Sequence, residues 1–69
     1  MIAREGTLKW FDRDQGYGYI TPDDGGENLF FSYSAIRGGG LRNLDKGARV
    51  RYEVVEGLRG SQAEDVSQI

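Results

Sequence analysis

Two short stretches of the chain, residues 15–20 and 29–33, carry aromatic side chains at a spacing that could bind flat ligands by stacking. Successive side chains of a β-strand point to opposite faces of the sheet. In the first stretch, Tyr17 and Tyr19 therefore share one face, whereas Ile20 lies on the other. Rings exposed on a sheet are surfaces on which unpaired nucleic-acid bases stack. The first stretch therefore predicts a stacking surface.

The second stretch adds one ring to this surface. Phe30 and Ser32 share a face, and Leu29 and Phe31 share the opposite one. Leu29 is aliphatic, as is the isoleucine of the first stretch, so these two residues mark the core side. Phe30 then joins the two tyrosines on the exposed side.

Burial in a hydrophobic core is the alternative explanation of these rings, because Tyr and Phe favour strands in any protein. The glycines favour the surface explanation. Gly within a strand usually marks a bulge or the close approach of another backbone or a ligand. Gly16 and Gly18 flank Tyr17 and leave the surface around its ring thin.

The size and composition of the chain argue against several kinds of site. The 69 residues are enough for one domain, expected to span residues 1–69 with a core of about residues 5–67. Without Cys or His, the usual zinc ligands and the commonest general base are missing. No apolar run reaches the roughly 20 residues that cross a bilayer, and the N-terminus does not resemble a secretory signal. We expect a soluble, cytoplasmic protein with no metal, cofactor, membrane or small-molecule substrate as a partner.

The net charge of −2 weakens the case for a nucleic-acid ligand, because proteins that depend on phosphate contacts usually have a basic face. Either the positive charge is concentrated locally or stacking supplies most of the affinity. The cations that could lie near the rings are Lys9, Arg13, Arg37 and Arg42, and the carboxylates close to them in sequence are Asp12, Asp14, Asp23 and Asp24.

The pattern along the chain predicts five short strands separated by turns. The first runs from Glu5 to Asp12 with Leu8 facing inward, and the others are predicted at residues 17–21, 28–32, 48–55 and 62–66. Residues 23–26 predict the tight reversal of an antiparallel hairpin, residues 33–36 at most one helical turn, and residues 38–46 a long loop. The inward-facing residues of the last two strands are predicted to be Val50, Tyr52, Val54, Ala63 and Val66.

Trp10 does not fit the simple alternation of the first strand. Strict alternation places Lys9 and Phe11 on the outer face, beside the stacking surface, and Trp10 on the inner face with Leu8. Either Trp10 is partly core, or a β-bulge turns it outward.

Five short strands predict an all-β sandwich or barrel. At this size a closed barrel is favoured, because closure removes the exposed strand edges. We therefore predict a small five-stranded antiparallel Greek-key barrel of the oligonucleotide/oligosaccharide-binding (OB-fold) type.

From about Glu5 to Val66 the chain resembles the bacterial cold-shock domain proteins. The two aromatic stretches resemble the family's two ribonucleoprotein-type motifs, residues 6–11 its opening strand, and residues 54–63 its closing hairpin. The resemblance implies a small, non-catalytic antiparallel barrel that binds single-stranded RNA and DNA with little sequence preference. We expect a monomer, because that is the default state of a closed barrel. It also implies a nucleic-acid chaperone that melts weak secondary structure, with regulation of transcription or translation on cold shock as a further role.

The resemblance implies a binding face that includes Trp10 among its rings. Carried over by position, this face comprises Lys9, Trp10, Phe11, Tyr17, Tyr19, Phe30 and Tyr33. We add Arg37 as a nearby cation, and Ser32 and Leu41 because they occupy positions where the family usually has a histidine and an aromatic residue. Gln15 replaces a usual lysine, so the expected footprint lacks one charge and two rings.

Two other functions compete with this one. The same rings could form a groove for a proline-rich peptide, as in small SH3-like barrels, and the acidic charge suits such a partner. The pairs Asp12–Asp14 and Asp23–Asp24 could be read as catalytic carboxylates, but they fall in predicted turns, where solvated charge is the usual explanation.

Overall fold

Five strands form one closed barrel in the computed structural model, which describes residues 3–37, 46–58 and 60–69. The elements are β1 (Arg4–Asp12), β2 (Tyr17–Pro22), β3 (Leu29–Ser32), a 3₁₀ turn (Tyr33–Ala35), β4 (Arg49–Gly57) and β5 (Gly60–Gln68). Their order around the barrel is β1-β2-β3-β5-β4. The predicted five-stranded barrel is confirmed.

Antiparallel pairing joins every pair of neighbouring strands except β3 and β5. Those two strands meet in a parallel contact between Phe30 and Gln62, which closes the barrel. The hairpins β1–β2, β2–β3 and β4–β5 follow the predicted turns. The last hairpin is longer than predicted because its strands extend to Gly57 and Gly60. Most of the predicted long loop, residues 38–45, lies outside the described residues.

Nine side chains fill the barrel, and they include the inward-facing residues that alternation predicts, except Val54. They are Leu8, Ile20, Leu29, Phe31, Ala35, Val50, Tyr52, Ala63 and Val66. Val54 is only partly buried and packs against this core. Burial raises the pKa of the Tyr52 phenol. No helix of the described residues has the length and apolar character needed to span a bilayer.

Two irregularities change which residues face the core. In β1 the register shifts between Leu8, opposite Ile20, and Trp10, opposite Tyr19, so that Lys9 is the extra residue of a bulge. In β5, Asp65 has a φ of 52°, and the register against β4 shifts at the same place. This second shift explains how Ala63 and Val66, three positions apart, are both fully buried.

Candidate nucleic-acid interface

Four aromatic rings lie together on the outer face of β1, β2 and β3. They are Trp10, Tyr17, Tyr19 and Phe30, and we call this group the platform. The strand register creates it, because Tyr19 is opposite both Trp10 on β1 and Phe30 on β3. The predicted sharing of one face by Tyr17, Tyr19 and Phe30 is confirmed.

The rings of the platform support one another by edge and stacked contacts. The centroid of Phe30 lies 5.6 Å from that of Tyr17 in a stacked arrangement and 5.9 Å from that of Tyr19 in a T-shaped one. Trp10 lies 5.4 Å from Tyr17 and 5.3 Å from Tyr19. These are the separations at which aromatic pairs attract, so each ring restricts the movement of its neighbours.

The bulge at Lys9 places Trp10 on this face. Without the extra residue, Trp10 would lie on the same face as Leu8 and would point into the barrel. With it, the indole is 37% exposed and contacts both tyrosines. Gly18 also contributes, because a β-carbon there would collide with the carbonyl oxygen of Trp10. The absence of a side chain at Gly18 lets β1 lie close against β2 beneath the indole.

The same bulge moves Phe11 away from the face on which it was predicted. Phe11 is opposite the buried Gly18, and its ring stacks on the core residue Phe31 with a centroid separation of 5.7 Å. The prediction that Lys9 and Phe11 share the stacking face is therefore wrong for Phe11. Phe11 is only partly buried, and its ring centroid lies 6.2 Å from that of Tyr33.

Tyr33 and the β1–β2 turn form a separate feature at the end of the barrel. The Tyr33 side chain is 64% exposed. Together with Phe11, Arg13 and Gly16 it lines a cavity of about 350 Å³, which we call the end groove. The resemblance to the family implies one binding face for these two rings and the platform. These two rings meet each other at the end groove.

The other residues predicted for the binding site lie at separate positions. Lys9 is exposed at the bulge, and Ser32 lies opposite Tyr17, with its Oγ 2.7 Å from the Oγ of Ser34. Leu41, like Arg42, lies outside the described residues.

Arg37 lies away from the rings. Its backbone N–H donates to the Val66 carbonyl at 2.9 Å, and Arg37 lines a cavity with Glu53 and Asp65 that no platform ring lines. A hydrogen bond with Asp65, burial and the charge of Asp65 raise the pKa of the Glu53 carboxyl. The structure therefore places the Arg37 cation beside carboxylates of β4 and β5, and does not bring it to the platform.

Six charged side chains form ion pairs with one another, and we call this group the ion-pair cluster. They are Arg4, Glu5, Asp23, Asp24, Arg49 and Arg51. Arg49 binds Asp23 through two hydrogen bonds of 2.7 and 2.6 Å. It also donates to the Thr7 hydroxyl at 3.1 Å. The hydrogen bond from Arg49 holds the pKa of the Asp23 carboxyl below its ordinary value.

The carboxylates that could have been read as a catalytic pair have structural partners. Asp23 is held by Arg49, and Asp24 lies 3.2 Å from Arg4. Asp12 accepts hydrogen bonds from the backbone N–H groups of Asp14 and Gln15 at 2.9 and 3.1 Å. Among the described residues, no group of three or more acidic, His or Cys side chains is placed to hold a metal ion.

Comparison with known proteins decides the family. The model of the family described as "'Cold-shock' DNA-binding domain" matches residues 4–69. The chain belongs to the cold-shock domain family. This is a family of nucleic-acid-binding proteins.

Relatives of the cold-shock domain cover almost the whole chain. The chain is 45% identical to "Cold shock protein" of Arthrobacter globiformis over 65 residues, which are 94% of this chain and 97% of the relative. It is 47% identical to "Cold shock-like protein CspLB" of Listeria monocytogenes over 93% of this chain and 96% of that one. It is 42% identical to "Cold shock-like protein CspC" of Shigella flexneri over the full length of both.

A solved structure supports the fold independently. The protein titled "drosophila Unr CSD456" superposes on 99% of this chain with a TM-score of 0.80. The match covers 27% of that longer chain at 19% sequence identity. At this identity the likeness concerns the barrel alone, and it agrees with the cold-shock domain fold.

Proposed function

We propose that this cold-shock domain binds single-stranded RNA and DNA with little sequence preference and acts as a nucleic-acid chaperone. The observation that carries the proposal is the platform. Four mutually supporting rings face outward on adjacent strands.

Stacking explains both the tolerance of sequence and the chaperone activity. Every base has a π-face, and each base–ring stack contributes about 1–3 kcal/mol by alanine substitution. Because a base must be unpaired to reach the platform, binding stabilises the melted form of a weak hairpin. The protein therefore shifts the equilibrium toward the melted form without ATP.

The charge distribution supports an affinity that depends mainly on the rings. The net charge is −2, and Arg4, Arg49 and Arg51 are paired with carboxylates. These three paired arginines are less available to displace counterions from the phosphates, and the dependence of affinity on salt follows the number of phosphates neutralised. We expect a shallow salt slope.

A fluorescence titration tests the proposal. Trp10 is the only tryptophan of the chain, and its indole belongs to the platform, so its emission reports that surface alone. We expect a short oligothymidine to quench Trp10 with a weak dependence on salt, and single-stranded RNA to compete with it. The matched variant Phe30→Ala should weaken the quenching titration, since Phe30 contacts both tyrosines of the platform.

Three results would contradict the proposal. Absence of quenching by DNA and RNA would show that the platform does not bind bases. A steep salt slope would show that phosphate contacts dominate over stacking. Displacement of the oligonucleotide by a proline-rich peptide of higher affinity would assign the platform to protein recognition instead.

A further inference from the structure

The end groove combines two rings with one cation at a border of the platform. Phe11 and Tyr33 supply the rings, and Arg13 supplies the charge. Gly16, also in its wall, directly precedes Tyr17 of the platform. The groove therefore adjoins the end of the platform at which Tyr17 lies.

The backbone of the groove is fixed by hydrogen bonds rather than by side-chain packing. The N–H of Tyr33 donates to the Gly16 carbonyl at 2.8 Å, and the N–H of Gly16 donates to the Asp12 carbonyl at 2.8 Å. Gly16 has a φ of 75°. This backbone conformation is unfavourable for residues that have a β-carbon. These two hydrogen bonds connect the turn that contains Arg13 directly to Tyr33.

Arg13 is available to a ligand in a way that Arg4, Arg49 and Arg51 are not. Arg4, Arg49 and Arg51 each lie within 4.0 Å of a carboxylate oxygen. Arg13 is exposed and has no ion pair or side-chain hydrogen bond with any residue that the structure describes. The carboxylate of the adjacent Asp12 already accepts two backbone hydrogen bonds.

We propose that the end groove holds one additional nucleotide of the bound strand, with its base against Tyr33 and its phosphate on the Arg13 guanidinium. The inference rests on the proposed function, in which the resemblance to the family already implies a binding role for Tyr33. Its new element is the phosphate contact of Arg13, one of the four cations expected near the rings. Arg13 thereby supplies a phosphate contact at a position other than Gln15, where the family usually has a lysine. Arginine suits this role because its planar guanidinium binds phosphate through two hydrogen bonds.

The proposal predicts a dependence on ligand length as well as on charge. A short strand that covers only the platform leaves the groove empty, whereas a longer one reaches Arg13. Neutralising one phosphate of a single strand contributes about 0.7 to the slope of log affinity against log salt. The longer ligand should therefore have a steeper slope than the shorter one, by about this amount.

The experiment is a Trp10 fluorescence titration of the full chain with oligothymidines of about four and about eight nucleotides, within the site sizes known for such barrels. The unmodified protein is compared with Arg13→Gln, Arg13→Lys and Arg51→Gln at several salt concentrations. Arg51→Gln is the matched control, because it removes the same charge from the ion-pair cluster. Circular dichroism establishes that each variant is folded.

We expect Arg13→Gln to lower the ratio of the two affinities (longer over shorter) several-fold and to remove the difference in salt slope. Arg13→Lys should retain most of that slope, and Arg51→Gln should leave the ratio unchanged. An unchanged ratio in Arg13→Gln, or an equal loss for both ligands, would overturn the assignment of Arg13 to a separate subsite. Failure of the unmodified protein to bind either ligand would overturn the proposed function, and this inference with it.

Discussion

Strand β1 pairs with β4 over residues 4–7 and with β2 over residues 6–12, and its two ends border different surfaces. Arg4–Thr7 pair with β4 and take part in the ion-pair cluster through Arg4, Glu5 and Thr7. After the bulge at Lys9, the strand presents Trp10 to the platform and Phe11 to the end groove. A single strand thus separates charge pairing from ring stacking.

This separation shows how an acidic protein can keep a surface suited to nucleic acid. Exposed ion pairs contribute little to stability individually, but the cluster engages Asp23 and Asp24 with Arg49 and Arg4. Two carboxylates of the β2–β3 hairpin are thereby paired with cations. Electrostatic repulsion of a phosphate backbone is also screened over about 8 Å at physiological salt.

The sharpest contrast in the molecule is between Phe31 and Phe30, adjacent residues of β3 on opposite faces. Phe31 is fully buried, whereas Phe30 belongs to the platform. Phe31→Ala should cost about 3–5 kcal/mol of unfolding free energy, comparable with the total stability of a domain this small. Phe30→Ala should instead cost about 1–3 kcal/mol of binding free energy, with a much smaller loss of stability. Urea denaturation and Trp10 titration measure the two quantities.

The pair of variants serves as its own control, because the side chain removed is the same. Folding of Phe30→Ala with normal oligonucleotide affinity would show that the platform is not the binding surface. Unfolding of Phe30→Ala would show that the platform rings are needed for the barrel itself, and the separation of stability from binding would then fail.

Gly18→Ala should disturb both properties at once. Its new β-carbon would collide with the Trp10 carbonyl oxygen and lie 3.0 Å from the Cα of Phe11. β1 must then move away from β2, and overpacking of this kind costs about 1–3 kcal/mol. Because Trp10 moves with β1, we expect lower stability in urea and weaker oligonucleotide binding, together with a changed Trp10 emission in the free protein.

Gly25→Ala provides the comparison for Gly18→Ala. Gly25 also lies in a hairpin, but a β-carbon there would meet no atom within 4 Å, and the strain comes only from its φ of 83°. That variant should lose some stability and bind normally. Equal binding losses in the two variants would mean that β1–β2 contact beneath Trp10 does not control the platform.

The barrel and most of its core could be predicted from the sequence, because alternation is a local property of each strand. Ile20, Leu29 and Phe31 are buried as the pattern predicts, and so is Val50. The parity of Trp10 and Phe11 could not be predicted from alternation, since one extra residue at Lys9 reverses it. The resemblance to the family implies that Trp10 lies on the binding face, but it places Phe11 on that face as well.

The remaining features of the candidate site depend on contacts between residues far apart in sequence. The sequence predicts Arg37 as a cation near the rings. Its backbone N–H instead donates to the carbonyl of Val66 on β5, and this contact holds it there. The end groove exists because Tyr33 is tied to the turn at Gly16. No periodicity within a strand encodes such pairings, so they become visible only once the barrel is assembled.

The smallest effect is expected from Asp23→Asn, which tests the charged side of the comparison. Asp23 and Arg49 make two short hydrogen bonds, and the resulting pKa of the Asp23 carboxyl is lower than its ordinary value of 3.8. A carboxyl with a lowered folded pKa stabilises the fold above its unfolded pKa, and this contribution is lost as pH falls through the folded pKa. The Tm of Asp23→Asn should therefore be lower than that of the unmodified protein at neutral pH, and the difference should vanish in acid.

Asp14→Asn is the matched control, because it removes the same charge from a turn where Asp14 has no ion pair among the described residues. It should show a smaller Tm difference from the unmodified protein at neutral pH. Both variants should bind oligonucleotide alike, since each reduces the acidic charge by one and neither touches the platform. A large loss of affinity in Asp23→Asn alone would show that the ion-pair cluster positions the platform through β1, and that the two surfaces of this strand are coupled.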